Sequence, residues 1–367
     1  MDWGGTPTPN DHRAQALTDT GYVLCEALSG GKVFTYWSRQ MPSQTTLQQV
    51  KATHPGFDEA YASDLAIVGQ SIYATGILRP TAGQTGSDQG YFWLVDPAGS
   101  TNVTSFQIGS SETRPAALNR DGLMVGRKGN LVSAGFIRSL DPSLYEVVLH
   151  PLAGYSTCWA LGIHGGGGVV GASKDAQGQV RATAWLPSSA TPRALDWLDP
   201  SYPYAQAAAV NDGKHAVGWS QAEIPQSVNS PGPKAVIWTS LSPAPLDRAG
   251  SVFVSQVEKA RAISPGIPNV LAEQVVGEYW DDSVNHPQHY GFIWDQATGF
   301  QDLGSLVSNL PSGYVVERAT DINSLGEISV IMAETGSGRQ HAYLLTPNLT
   351  SPRLGRLDRP IAGDVSV

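Results

Sequence analysis

Charge is scarce in this chain: Asp, Glu, Lys and Arg make up 15% of its 367 residues, and acids outnumber bases 32 to 23. A formal net charge of −9 leaves no concentrated basic surface. Nucleic-acid binding, whose phosphate contacts need clustered Lys and Arg, is therefore not expected. Long apolar runs are missing too. No stretch reaches the ~18 apolar residues that a membrane-spanning helix requires, so membrane insertion is not expected either. Sustained apolar spacing of three and four residues is also lacking, which excludes long amphipathic helices as the main element. Cysteine occurs twice, at Cys25 and Cys158, too few for a disulfide scaffold and without the paired spacing of a zinc site. Their apolar or aromatic settings, YVLC and STCWA, suit buried thiols. The start, MDWGGTPTPNDHR, is polar and rich in Gly and Pro, unlike a secretory signal.

What the chain does have is glycine and proline, 40 and 25 of them, the composition of many short strands joined by tight turns. It also has an internal repeat. ALTDTGYVLC from Ala16, ALNRDGLMVG from Ala117, ALGIHGGGGVVG from Ala160, AVNDGKHAVG from Ala209 and DINSLGEISV from Asp321 are variants of one segment. AISPGIPNVLAEQVVG from Ala262 carries an insertion, and YASDLAIVG from Tyr61 is a shortened copy. Each is followed by a second signature: VFTYW, GYFWL, AGFIR, ATAWL, AVIW, GFIW and AYLL. Seven copies spaced by about 50 residues fall in the range of propeller blades. The expectation is an all-β, seven-bladed β-propeller with four-stranded blades and a single domain over residues 1–367. Its repeats lie near 16–50, 60–100, 115–150, 160–200, 208–250, 261–305 and 320–360. Residues 1–15 or 348–367 are expected to complete a blade begun by the other end. In the cleanest copy the strands read CWALGIH, VVGAS, RATAWLP and RALDWL.

An N-x-x-G turn joins the first two strands, at Asn119–Gly122, Asn323–Gly326 and the tighter Asn211-Asp212-Gly213. Asn bonds its own backbone in such turns, and Gly supplies positive φ. His164 stands at the Asn position, and Gly165–Gly168 fill out its turn. A phosphate-cradling loop would need a helix to follow, and here a strand follows.

The pattern A-x-x-I-N-x-x-G-x-V-V-G followed by H-A-F-L-W resembles the bacterial HAF repeat. His341-Ala342-Tyr343 and Arg181-Ala182-Thr183 are the nearest versions of its second signature, and FQDLGSL from Phe300 looks like its D-L-G-T-L segment. The resemblance covers roughly residues 14 to 347. It implies an extracellular or periplasmic protein and no common activity.

Hydrolase, metalloprotease and NTPase motifs (G-x-S-x-G, H-E-x-x-H, G-x-x-x-x-G-K) do not occur. Ser173–Gly178 distantly resembles the Asp-box turn of sialidase-like propellers and reads as an ordinary hairpin turn. In the sixth repeat, Glu278, Asp281, Asp282, His286 and His289 could ligate a divalent metal or supply a general acid and base; a solvated loop is the alternative. No other cofactor is expected. A third signal comes from aligning the copies. Arg13, Arg114, Trp159, Gln206, Lys259 and Arg318 share one position before the repeat segment, on the strand that lines a propeller's channel. Four cations converging at one mouth would favour an anionic ligand; pairing with acids such as Glu258 and Glu317 is the structural alternative. Trp37, Trp93, Trp185, Trp238 and Trp294 recur at the third strand and suit blade packing, whereas Trp159, Trp197, Trp219 and Trp280 break the pattern and are candidates for ligand contact. The function expected is a secreted propeller binding a glycan or other anionic ligand at the channel mouth. An enzyme using the same site (a polysaccharide lyase, hydrolase or cyclase) and a protein-interaction scaffold are the alternatives.

Overall fold

Strands form where the repeat signatures lie, because each signature is a short run of β-branched, aromatic and small residues closed by turn formers. The computed structural model describes residues 12–27, 33–38, 57–80, 86–95, 104–108, 112–129, 133–141, 143, 146–186, 190–198, 200–222, 232–239, 243–246, 258–264, 273–281, 288–347 and 356–360. They form seven antiparallel sheets, each from consecutive strands. The first has β1 (His12–Leu17), β2 (Tyr22–Ala27) and β3 (Val33–Ser38). The second has β4 (Phe57–Val68), β5 (Ser71–Pro80), β6 (Gln89–Val95) and β7 (Thr104–Ile108), and the third β8 (Thr113–Leu118), β9 (Leu123–Lys128), β10 (Ala134–Ser139) and β11 (Glu146–Leu149). The fourth has β12 (Thr157–Ile163), β13 (Val169–Lys174), β14 (Val180–Trp185) and β15 (Pro192–Ala194). The fifth has β16 (Tyr204–Val210), β17 (Ala216–Gln221), β18 (Lys234–Trp238) and β19 (Pro243–Pro245). The sixth has β20 (Glu258–Ile263), β21 (Gln274–Asp281), β22 (Gln288–Asp295) and β23 (Gly299–Asp302), then a one-turn helix α1 (Leu303–Leu306). The last has β24 (Tyr314–Ile322), β25 (Ile328–Glu334), β26 (Gln340–Thr346) and β27 (Arg356–Pro360).

The first strands of successive sheets touch one another all the way round, β24 meeting β1, so they are the inner strands about a common axis. This is a β-propeller. Six of its sheets are complete four-stranded blades, not the seven expected. The first sheet shows three strands, and residues 39–56, which follow β3, lie outside the described residues. The eroded second repeat, in contrast, folds as a complete blade whose first strand is twelve residues long.

The V-V-G of the repeat has a local cause. Nearly every inner strand carries a bulge at the same place, as between Ala62 and Asp64, Pro115 and Ala117, Ala160 and Gly162, or Ala207 and Ala209. Opposite it on the second strand stand Gly76, Gly126, Gly171 and Gly218. A Cβ on any of these would overlap the carbonyl of Tyr61, Arg114, Trp159 or Gln206, so the close approach in these four sheets requires glycine. The first and last sheets instead carry Cys25 opposite Ala14 and Val330 opposite Ala319 at the corresponding bulge.

Cores lie between sheets rather than within them. Val125, Ile137 and Leu149 of the third sheet pack on Cys158, Ala160, Val169 and Trp185 of the fourth. Val170 and Ala182 of the fourth pack on Ala205, Ala207, Val236 and Trp238 of the fifth. The third-strand tryptophans behave as packing residues: Trp93, Trp185 and Trp238 are fully buried. The indole N–H groups of Trp185 and Trp238 donate to the carbonyls of His150 and Asp196, each at 2.8 Å. Trp37 has its side chain outside the described residues. Both cysteines are buried thiols, and burial pushes the Cys25 thiol up to about 12.

Among the described residues, β1–β3 and β24–β27 each pair internally; residues 1–11, 348–355 and 361–367, where the expected closing strand would largely fall, lie outside them. The seam between the first and last sheets is packed as the other blade junctions are. Ala14, Leu17, Val23 and Cys25 pack on Ala342 and Leu344. The Asn323 side chain donates to the Thr18 carbonyl at 3.1 Å, as Asn119 does to His164 and Asn211 to Ser264. The repeat Asn thus has two roles: its oxygen accepts N–H groups of its own turn, and its nitrogen staples the next blade.

A cleft at one mouth of the channel

The six aligned positions do share one register. Arg13, Arg114, Trp159, Gln206 and Lys259 each stand one residue before the position where the bulge begins, on β1, β8, β12, β16 and β20, and Arg318 stands correspondingly on β24. Of the four cations among them, the two whose side chains are described, Arg114 and Arg318, are each paired with a buried acid. The side chains of Arg13 and Lys259 lie outside the described residues. Arg318 is turned to the buried Glu278 in a close ion pair, and Glu278 also takes Arg261 at 2.7 Å. Burial pushes the Glu278 carboxyl up, but Arg261 and Arg318 outweigh it and hold it below the usual carboxylate range. This is the structural alternative, with a different acid: Glu317 accepts from Gln340, and the Glu258 side chain lies outside the described residues. Gln206 faces Trp219 across the ladder, away from the cleft described next.

Arg114 and Trp159 do meet at a cavity. A cleft of about 800 Å³ opens against three successive inner strands, lined by Ser63 of β4, Arg114 and Ala116 of β8, and Trp159 and Leu161 of β12. Its outer wall holds Arg127, Ser133, Ser156, Thr157, Lys174 and Asp175. Arg114 is anchored from behind by the buried Asp88, 2.8 Å away, with Glu112 at 4.0 Å. Asp88 also takes Arg79 at 3.3 Å. Directly across the ladder from Arg114 stands Arg127, a like charge in register, an arrangement that costs stability. Burial and the neighbouring Arg114 weaken its hold on its proton, while Glu112 and Asp88 act the other way; a guanidinium so placed stays charged at neutral pH. No carboxylate lies within ion-pair distance of Arg127 among the described residues. Arg127 lies on a second strand, outside the aligned first-strand positions; its signal was the Arg127-Lys128 pair of cations where the other copies carry acidic, small, polar or apolar residues. Asp175 turns out to be the hinge of the β13–β14 hairpin, its carboxylate accepting from the Gln177 and Gln179 N–H groups, so the Asp-box likeness was an ordinary turn on the cleft rim.

The opposite mouth, about 400 Å³, is lined by the ends of six inner strands and by the hairpin turns of five sheets, His164 among them. His164 accepts backbone N–H groups at Nδ1 from Gly166 (2.9 Å) and at Nε2 from Gly168 (3.2 Å); a neutral ring has one bare nitrogen, so only one of these forms at a time. Burial lowers its pKa, Lys214 adds to this, and Asp212 opposes it, which keeps the ring neutral. The glycine run follows from the imidazole: a Cβ at Gly166 would come within 2.8 Å of its Cε1, and one at Gly168 would overlap its Nε2. Gly167 takes the positive φ of 77°. In the fifth sheet that conformation falls on Lys214 (φ 65°) and not on Gly213 as expected from the N-D-G spelling.

Two further carboxylates escaped the sequence reading. Asp64 and Asp321 stand just past the bulge on β4 and β24, each half-buried. Each accepts its own neighbour's N–H and one from the next blade, Leu118 at 2.6 Å and Leu17 at 2.7 Å. Burial raises both to about 7, and Asp64 adds to the rise of Asp321.

Most of the sixth-repeat cluster falls outside the described residues: Asp282, His286 and the Asp281 side chain are not among them. His289 packs edge-on against Trp280, ring centroids 4.3 Å apart, and Glu278 belongs to the arginines. No group of three or more potential metal ligands occurs among the described residues. Of the tryptophans that break the pattern, Trp159 lines the cleft, and Trp197 carries the Arg181 guanidinium 3.9 Å above its ring.

Solved propellers resemble this architecture. The propeller domain of the Trilobed protease from Pyrococcus furiosus, described as having an open velcro topology, covers 96% of this chain and is itself covered over 98%, at 11% identity and a TM-score of 0.53. An acylaminoacyl peptidase from Pyrococcus horikoshii matches 96% of the chain at 10% identity and a TM-score of 0.55. A prolyl endopeptidase matches 91% at 8% identity and a TM-score of 0.55. This chain spans 52% and 50% of those two peptidases. At such identities the likeness is one of fold. No protein-family model matches the sequence. No curated protein matches it either.

Proposed function

We propose that the protein is a ligand-binding propeller that holds an anionic ligand, a glycan above all, in the cleft between its second, third and fourth sheets. The observation that carries this reading is the in-register pair of Arg114 and Arg127 facing a cavity in a chain of net charge −9. Evenly dispersed acids would relieve that repulsion cheaply; an oxyanion does so only when bound, and gains charge-assisted hydrogen bonds from it. The volume lies within the ~300–1,000 Å³ of typical ligand pockets. The HAF-repeat resemblance adds a secreted or periplasmic setting. We also read the three-stranded first sheet as a seventh blade, since β1 joins the inner ring as the other first strands do.

An enzyme acting in the same cleft would need a base. The lining among the described residues holds no His or Tyr, the groups best suited to abstracting a proton beside a uronate carboxylate. Recognition is therefore the better-supported reading. The test is thermal denaturation against a panel of anions: a ligand that binds only the folded state raises the melting temperature with the logarithm of its concentration. The rise should shrink with added salt. A panel without any shift overturns the reading.

A further inference from the structure

Arg114 and Arg127 are not equivalent. The buried Asp88 already neutralises Arg114 at 2.8 Å and fixes its direction. Arg127 has no such partner within ion-pair distance among the described residues, yet it is half-buried on the cleft wall. Beside it the lining changes character. Trp159, half-buried on the neighbouring inner strand, presents a broad flat apolar surface with its backbone fixed by the bulge. Ser63, Ser133, Ser156 and Thr157 also line the cleft; Ser63 donates to the Pro115 carbonyl and Ser156 and Thr157 to that of Lys174, which leaves these three oxygens to accept from a sugar hydroxyl. One half-buried guanidinium, one aromatic residue and a rim of hydroxyls, with the exposed Lys174 at the edge, suit a ring-shaped polyol carrying a negative group. They suit a bare inorganic anion poorly, because it would leave the aromatic wall and the hydroxyls unused.

We propose that the cleft is an off-axis subsite for an acidic sugar: the oxyanion, carboxylate or sulfate, lies on the Arg127 guanidinium with Arg114 behind it, and a pyranose face lies on Trp159. This rests on the anion-binding reading above and narrows it. It also replaces a symmetric ring of cations by one asymmetric site, with Arg127 rather than Arg318 as the residue that selects the charge.

The test uses the whole chain and calorimetric titration with trigalacturonate, its fully methyl-esterified form, galactose 6-sulfate and sodium sulfate. Trigalacturonate or galactose 6-sulfate should bind, and which of them binds tells carboxylate from sulfate. The methyl ester should bind at least tenfold more weakly than trigalacturonate. Arg127→Gln and Trp159→Ala should each weaken acidic-sugar binding by tenfold or more while the variants melt as cooperatively as the parent. Trp159→Leu serves where the alanine variant does not fold. Sodium sulfate binding as tightly as the sugars, with Trp159→Ala without effect, would overturn the sugar subsite and leave the anion reading standing. Acidic sugars that bind equally well to Arg127→Gln would also overturn the subsite. Absence of binding by all four probes would overturn both readings.

Discussion

The backbone N–H of Leu17 donates to the Asp321 carboxylate at 2.7 Å across 304 positions of sequence. Asp64 makes the same bond to Leu118 between the second and third sheets, so two blade junctions rest on an acid whose surroundings favour its protonated form.

That arrangement gives stability a definite pH dependence. Each carboxyl has a folded-state pKa of about 7, against about 3.9 for an unperturbed Asp. A raised folded pKa means that the native state binds the proton more tightly. Its contribution is therefore complete below the unfolded pKa and lost as pH rises through the folded one. Melting temperature should fall between pH 5 and pH 8 more steeply than in Asp321→Asn. The charged groups facing Asp321 are Asp64 and Asp19, so Asp64→Asn should also lower the midpoint of the Asp321 transition. Parallel melting curves for parent and Asp321→Asn would refute this.

Arg318→Gln should destabilise the protein rather than relieve repulsion. Glu278 is buried and shared between Arg261 and Arg318, and removing one of two partners from a buried charge should cost about 1–3 kcal/mol. Urea denaturation at pH 7 reads it directly. The loss should shrink at low pH, where Glu278 takes up a proton.

Lys214→Gly should stabilise. Lys214 holds a positive φ of 65° in the turn that starts at Asn211, where the other copies use Gly122, Gly167 and Gly326. Relief of the left-handed conformation is worth about 1 kcal/mol, less any loss from the greater freedom of glycine when unfolded. A lower melting temperature would show that the Lys214 side chain has a role outweighing its strain.

His164 and Gly168 should be energetically coupled. Gly168→Ala alone would drive its Cβ into the imidazole and should cost about 1–3 kcal/mol. His164→Asn alone should change stability by less than about 1 kcal/mol, since Asn serves the same turn in three other sheets. In the double variant most of the Gly168→Ala cost should vanish. Additive costs in the cycle would refute the coupling.

Much of this architecture could be read from spelling. The turns at Asn119–Gly122 and Asn323–Gly326 and the buried Trp93, Trp185 and Trp238 follow from local rules, and the structure places them where those rules require. Blade completeness was less legible, because a fourth strand has little signature: Pro192–Ala194 and Pro243–Pro245 pair outside any repeat motif. The pairing of Arg318 was hidden for another reason. Equal register sets where a side chain starts, whereas its direction follows the nearest buried acid, and Glu278, on the second strand of the preceding sheet, shares no repeat position with Arg318. Asp64 and Asp321 had a weak signal: A-S-D-L at Ala62 and A-T-D-I at Ala319 are two spellings of one site. It was masked by the shortening of the second copy.

Because every sheet is built from consecutive strands, tension between the two ends of the propeller would meet the seam first. There, among the described residues, the load falls on hydrogen bonds from Leu17 to Asp321, Asn323 to Thr18 and Ser324 to Asp19 and on a small apolar contact, with no strand ladder crossing the seam. The molecule is mechanically a clasped bracelet: its clasp can open and shut while each link stays folded.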